Sequence, residues 1–235
     1  MCTVSFVRSK DKIIITSNRD EQVIRPAIEP RKYTVNHKNI TFPKDPKAGG
    51  TWYAADDHGT VLVLLNGASE KHMMNPPYRK SRGLIVLDII SSESPIETWR
   101  QIDLDNIEPF TLVLFQNRDL YQLRWNGLEK ETTKLNTSEN YVWSSSTLYP
   151  QEVRETREKW FYNFLETKPG ITAAEMLNFH RYTEDQNPEN GLVINRNNIL
   201  KTLSITQSVI ETDKVTILHC DLMSQKDFTT SFSIV

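Results

Sequence analysis

Alternating apolar and polar positions make this chain read mostly as strands. Thr3-Val4-Ser5-Phe6-Val7 and Ile13-Ile14-Ile15-Thr16-Ser17 are β-prone runs on either side of polar turn residues 8–12, which predicts a hairpin. Residues 22–50 are polar and contain Pro26, Pro30, Pro43 and Pro46, so they are expected to form a loop or edge-strand segment that walls a pocket. Residues 51–55 and 60–65 form a second hairpin turned at Asp56-Asp57-His58-Gly59. The near-continuous apolar run 61–65 predicts a strand covered on both faces.

Helical spacing takes over in the middle of the chain. Leu84, Leu87 and Asp88 recur at three and four, which predicts a helix over 81–90. Ser94 is expected to cap a second helix, with Pro95 in its first turn and Glu97 completing a capping box. Residues 111–115 and 120–125 are another hairpin, and 128–135 and 141–143 continue the β pattern. A helix over 152–165 places Val153, Thr156, Trp160 and Phe164 on one face, and Thr172 and Glu175 open a further helix to about Tyr182. Beyond a loop over 184–198, three strands (202–210, 215–222 and 228–234) follow in meander order. Strands first, helices next and strands last fit an α+β chain of two stacked sheets with helices outside.

Composition permits that architecture and narrows the function. The chain has 235 residues, 38% of them hydrophobic, enough for a core, and is expected to be one domain over 1–235. A net charge of −2 with scattered Lys and Arg argues against a nucleic-acid partner. No run approaches the roughly 18 apolar residues of a membrane span. Arg8, Lys10, Asp11 and Lys12 interrupt any signal-peptide core, so a soluble, cytoplasmic protein is expected. Cys2 and Cys220 are the only cysteines, too few for a disulfide framework or a zinc site. Cys220 lies in a strand-like apolar run and reads as packing, and His219 beside it as an ordinary strand residue.

The chemistry centres on Cys2. Removal of Met1, usual before a small residue, leaves a thiol and a free α-amine on one residue. That amine titrates near pH ~8, close to an unperturbed thiol, so Cys2 can supply both a nucleophile and its activating base. Antiparallel pairing of the first hairpin around Ser9-Lys10-Asp11 sets Cys2 opposite Asn18, and a Lys10-Asp11 turn sets it opposite Arg19. In either register an amide, a guanidinium and the Asp20 carboxylate come within about 5 Å of the chain start. A cation there lowers a thiol pKa, and a carboxylate holds an amine. The plain alternative is a small second residue and a solvated loop.

Met1-Cys2-Thr3, Asn18-Arg19-Asp20-Glu21, Arg25-Pro26-Ala27, Gly49-Gly50-Thr51-Trp52, Gly59-Thr60, Leu64-Leu65-Asn66 and Ser81-Arg82-Gly83 together resemble the NRDE family, which includes the transport and Golgi organisation 2 proteins. That family is similar to the cysteine-type N-terminal-nucleophile (Ntn) hydrolases. The resemblance implies a four-layer αββα sandwich and hydrolysis of a non-peptide C–N amide; it implies no particular substrate, and a small-molecule amide with no cofactor or metal is expected. It implies that Asn66, at a strand end, donates to the oxyanion, although Asn66-Gly67 also reads as a turn dipeptide. Trp52, Ser145 and Lys201 are its candidate substrate-binding residues. Ser145 stands where the family usually has an asparagine, and Ser144-Ser145-Ser146 alternatively caps a helix. Lys201 stands where relatives tend to have arginine, which loses the planar fork. Arg19 falls between Asn18 and Asp20, whereas the bile-salt enzymes carry Arg-Asn-x-Asp.

The expected mechanism is attack by the Cys2 thiolate, with Asn18 and Asp20 orienting the amine, Arg19 favouring the thiolate and Asn66 binding the oxyanion. The alternative that the resemblance allows is a non-catalytic haem or lipid-metabolite protein on the same fold, with Cys2, His219 or Tyr53 as iron ligands.

Overall fold

The computed structural model describes residues 3–168 and 170–235. Two antiparallel sheets lie face to face. The first takes β1 (Thr3–Ser9), β2 (Lys12–Gln22), β10 (Tyr141–Ser144), β11 (Asn195–Arg196), β12 (Leu200–Ile210), β13 (Lys214–Asp221) and β14 (Lys226–Ser233). Their order is β10-β1-β2-β12-β13-β14, with β11 on β12. The second runs in chain order through β3 (Ile28–Val35), β4 (Lys38–Lys44), β5 (Tyr53–Asp56), β6 (Val61–Asn66), β7 (Phe110–Gln116), β8 (Asp119–Trp125) and β9 (Lys130–Leu135). Helix α1 (Arg82–Ile90) packs on β5 and β6 and against α2 (Pro95–Gln101). On the other side α3 (Gln151–Glu166) packs on β10, and α4 (Ala173–Tyr182) on β2 and β12. The result is the αββα sandwich. None of the described helices is long and apolar enough to cross a membrane.

Residue alternation shows why the layers form. Val4, Phe6 and Ile15 belong to the core that runs between the sheets, whereas Val7 and Ile14 join Phe161, Met176 and Phe179 under α3 and α4. Both faces of β1 and β2 are therefore buried. A fully buried Phe or Leu contributes about 1.5–3 kcal/mol, and a one-residue slip would send each set to the wrong layer, so the register is tightly specified.

Several expectations change. The proline-rich stretch 22–50 contains a hairpin, β3–β4, turned at Asn36-His37 with φ of 49° and 65°. β3 is an edge strand and its ladder is interrupted between Ile28 and Arg31, where Pro30 sits; β4, which holds Pro43, is paired on both sides. Ser94 makes no side-chain cap bond, so the capping box expected with Glu97 does not form, although the helix starts there. The Thr172–Glu175 box does form. On α3 the fully buried positions are Arg157 and Phe161, and Thr156 is exposed. Trp160 and Phe164 pack half-buried against the core under α3 as expected, and Arg157 is buried beside them because its charge is satisfied by Thr3 Oγ1 at 2.7 Å and the Asn190 carbonyl at 3.2 Å. The loop 184–198 contributes the short strand β11.

Candidate functional site

The first hairpin turns on Lys10-Asp11, with Lys10 at φ 57° and Ser9 opposite Lys12. That places Thr3 opposite Asn18, the register of the tighter of the two turns considered. Cys2 itself lies outside the described residues. Alternation then divides the Asn18-Arg19-Asp20 motif between the two faces of β2.

Asn18 and Asp20 face α4 and the loop before β11. Asn18 Nδ2 donates to the carbonyls of His180 (3.1 Å) and Leu192 (2.6 Å), while its Oδ1 lies 2.5 Å from His180 Nδ1. His180 Nε2 is in turn 2.7 Å from Ser5 Oγ. Burial pushes the His180 imidazolium pKa down to about 3, so the ring is neutral and links Asn18 to β1. The Asn18 amide thus ties layers together and points away from the space between the sheets. Asp20 is buried; Tyr149 Oη donates to its Oδ2 at 2.6 Å and Thr202 Oγ1 to its Oδ1 at 2.5 Å. The Arg157 guanidinium lies 3.6 Å from the centre of the Tyr149 ring, continuing the network to Thr3.

Arg19 faces the opposite way, between the sheets. Its guanidinium lies over the Trp52 ring, 4.3 Å from the centroid, and Nη1 donates to the Arg25 carbonyl at 2.9 Å. Arg19, Trp52 and Asn66 all line one cavity of about 400 Å³. Its wall is strongly charged, with Arg25, Lys80 and Arg82 facing Glu21, Asp45 and Glu108. Arg25 pairs with Asp45 at 2.6 Å and Glu21 at 3.3 Å, and Arg82 with Glu108 at 3.0 Å. Burial lowers the Arg82 pKa, opposed by Glu108. Two glycine motifs close this wall. The Thr51 amide donates to the Gly83 carbonyl at 3.1 Å, and a Cβ on Gly50 would lie 2.3 Å from the Gly83 carbonyl carbon.

Asn66 ends β6 and is half-buried at the cavity edge. Gly67 after it has φ 82°, and a Cβ there would meet Ser146 Oγ at 2.2 Å, so the pair also makes a tight turn. Ser145 Oγ donates to the Asn66 carbonyl at 2.8 Å and lies 2.9 Å from Thr147 Oγ1. Ser145 itself lines a second cavity, of about 500 Å³, on the β10 side of that bond. Lys201 stands opposite Glu21 in the β2–β12 ladder, outside the residues that line the first cavity. The neighbouring residue, Thr202, is the one that reaches Asp20. The candidate iron ligands are buried between the sheets: Tyr53 Oη donates to the Ile15 carbonyl at 2.9 Å, and His219 Nδ1 lies 2.8 Å from Thr206 Oγ1. Among the described residues, no three His, Cys, Asp or Glu side chains are grouped to hold a metal.

The structure therefore brings Arg19, Trp52 and Asn66 to one cavity, sets Ser145 behind Asn66, and puts Asn18 and Asp20 on the far face of β2. Sequence reading missed Tyr149, Thr202, Arg157 and His180. Tyr149 follows the Ser144–Ser146 segment closely enough to have been a signal; the others come from distant helices and strands.

No curated protein matches the chain. Among solved structures it is similar to the Caenorhabditis elegans ortholog of N-acylethanolamine-hydrolyzing acid amidase, with a TM-score of 0.62 and 11% identity over 88% of this chain and 92% of that one. It is also similar to a variant of the conjugated bile acid hydrolase from Clostridium perfringens, with a TM-score of 0.50 and 11% identity over 100% of this chain and 98% of that one. Likeness at this identity establishes the Ntn-hydrolase fold. The family model described as Transport and Golgi organisation 2 matches residues 1–230, and the chain belongs to that family.

Proposed function

We propose that the chain is an amidohydrolase that uses Cys2, exposed by removal of Met1, to cleave a C–N amide in a small molecule. The supporting observation is the β1–β2 register. Thr3, the first described residue, stands opposite Asn18, so the start of the chain comes beside the Asn18-Arg19-Asp20 motif, whose Arg19 lines the charged cavity. In this reading the thiol gives its proton to the α-amine and the thiolate attacks the amide carbonyl. Arg19 favours the thiolate, and the Asn66 amide donates to the oxygen that becomes negative; losing such a donor typically costs about 100-fold or more in rate. The ammonium returns its proton to the leaving nitrogen as the C–N bond breaks. Water then cleaves the thioester and regenerates the thiol. Asp20 holds the ammonium, its carboxylate kept in place by Tyr149 and Thr202. Asn18 acts as a positioning residue through His180. Trp52 fixes Arg19 and walls the substrate site, and Ser145 supports Asn66. Lys201 keeps a positive charge beside Glu21 at the site's margin.

The test is an intact mass of the natively expressed protein, before and after brief alkylation near neutral pH, followed by an amide screen with the Cys2→Ala and Cys2→Ser chains as controls. Loss of Met1, selective modification of Cys2 over Cys220 and amide turnover abolished in both variants are expected. Cys220 is fully buried and its thiol pKa is pushed up to about 12, chiefly by burial, so it serves as an unreactive internal reference. Retained Met1, or full turnover by Cys2→Ala, overturns the mechanism.

A further inference from the structure

The second cavity, of about 500 Å³, has a wall that the proposed mechanism leaves unused. Five consecutive residues line it, Tyr141, Val142, Trp143 and Ser144 of β10 and Ser145 after them. Successive side chains of a strand point to opposite faces. Those of β10 do so, since Tyr141 and Trp143 pack on the core between the sheets while Val142 packs on the cluster under α3 and α4. One face of a strand cannot present consecutive residues. The cavity therefore runs along the edge of β10, against its backbone.

That edge is open. β10 ends the first sheet and pairs with β1 alone, from Thr3 opposite Ser144 to Phe6 opposite Tyr141. In an antiparallel ladder alternate residues turn their N–H and C=O toward the partner strand, and the residues between turn theirs away. Two of the four residues of β10 thus aim one N–H and one C=O each at the cavity. Among the described residues, the backbone of 141–144 makes no hydrogen bond beyond the β1 ladder. An open strand edge is a template for another extended chain.

Two walls flank the edge. On one side α3 supplies Arg154, Glu155 and Glu158, and on the other β8 supplies Gln122 and Arg124, which share a face. Gln122 is fixed there by Trp143, whose Nε1 donates to its Oε1 at 2.8 Å. Arg154 is turned to the Ser69 carbonyl, to which its Nη1 donates at 2.8 Å, while Glu155 and Glu158 are exposed. The α3 wall is acidic on balance, and the β8 wall carries a cation. Hydrogen-bonding backbone along the floor with opposite charges on the two sides suits an extended chain, whose side chains alternate between the walls.

We infer that this groove binds a short peptide as a strand added to β10. Main-chain hydrogen bonds hold the peptide, and the walls select its side chains, a basic one toward Glu155 and Glu158 and an acidic one toward Arg124. The four residues of β10 span roughly 13 Å, which limits the paired segment to about four residues. At the inner end Ser145 donates to the Asn66 carbonyl at 2.8 Å, so the peptide lies behind the first cavity. Its binding is independent of the amide cleavage proposed above.

The experiment is isothermal titration of the Cys2→Ala chain with acetyl-Val-Lys-Glu-Val-amide, whose adjacent Lys and Glu point to opposite walls, and with two N-methylated forms. One form carries methyl groups on the amide nitrogens of its first and third residues, the other on those of its second and fourth. An added strand uses the donors of one alternate set. One form is therefore expected to bind about tenfold or more weaker, and the other within about threefold of the parent. Hydrogen exchange at the outward amides of residues 141–144 is expected to slow when the parent peptide is present. No binding at millimolar peptide, equal loss or equal retention in the two methylated forms, or unchanged exchange at β10 overturns the site. None of these readouts depends on turnover, so the groove and the amidohydrolase stand or fall separately.

Discussion

Arg19 of β2 lies over Trp52, its guanidinium carbon 4.3 Å from the ring centroid, and Trp52 immediately precedes β5 of the other sheet. A partly desolvated cation–π contact of this kind contributes about 0.5–2 kcal/mol, enough to hold one rotamer of a long side chain. Trp52 thereby keeps a permanent positive charge on the face of β2 that looks into the cavity.

The expected consequence concerns the nucleophile. A cation beside a thiol lowers its pKa, and a shift of one unit changes the thiolate fraction near neutral pH by up to tenfold. Arg19→Ala should therefore move the pH profile of Cys2 alkylation upward and slow the reaction by about tenfold near pH ~7. Trp52→Leu should produce a smaller shift in the same direction. The rate of iodoacetamide modification against pH decides it; a profile unchanged in Arg19→Ala would remove Arg19 from the proposed site.

Asp20 gives a stability prediction. It is buried, and Tyr149 and Thr202 each donate to one of its oxygens. Removing a donor to a buried carboxylate costs about 1.5–3 kcal/mol. Tyr149→Phe and Thr202→Val should each lower the urea midpoint by that order, and less than additively together, because the two donors share one acceptor. A change below about 0.5 kcal/mol in both would show that the carboxylate is held by other groups.

The buried histidines set the acid limit. His180 is pushed down to about 3 and His219 to about 4 from an ordinary value of 6.5, in both cases mainly by burial. Below about pH 6.5 the unfolded chain takes up protons that the folded chain refuses, so stability falls as pH drops toward 4. Each ring contributes a slope of at most about 1.4 kcal/mol per pH unit. Denaturation series at several pH values should show stability declining from neutrality, and the decline should flatten by about half in His180→Gln. Equal slopes in the two proteins would mean that His180 titrates normally in the fold.

Gly49 and Gly50 are adjacent but differ in kind. At Gly50 an added Cβ strikes the Gly83 backbone at 2.3 Å, whereas at Gly49 the constraint is φ 75°, with only an ordinary contact to Leu84 Cδ2 at 4.0 Å. Gly49→Ala should cost about 1–2 kcal/mol, the usual penalty for a left-handed residue. Gly50→Ala should cost more, because backbone must move where the cavity wall closes, and the overpacking range of about 1–3 kcal/mol is a lower bound there. Melting temperatures of the two variants rank them; the reverse order would mean that the contact with Gly83 relaxes easily.

What the sequence by itself determined is whatever depends on neighbours along the chain. Period-two alternation marked the hairpins, Thr172 and Glu175 marked a helix start, and a polar turn around Lys10 brought the start of the chain beside Asn18-Arg19-Asp20. The limits of local signals also show. Ser94 and Glu97 have the spacing of a capping box without its bonds, and prolines in 22–50 concealed β3 and β4, since an edge position and an interrupted ladder both tolerate proline. Only the tertiary structure decided which face of β2 each motif residue occupies and what meets it there. Asn18 turned to His180, Asp20 to Tyr149 and Thr202, and Arg19 to Trp52, partners that lie from 33 to 182 positions away. The buried charge of Arg157 and the paired cavities on either side of Asn66 and Ser145 have the same origin. Such contacts are set by the packing of one layer on another, where burial and charge compensation across space decide a side chain's partners, and no spacing along a single strand encodes that choice.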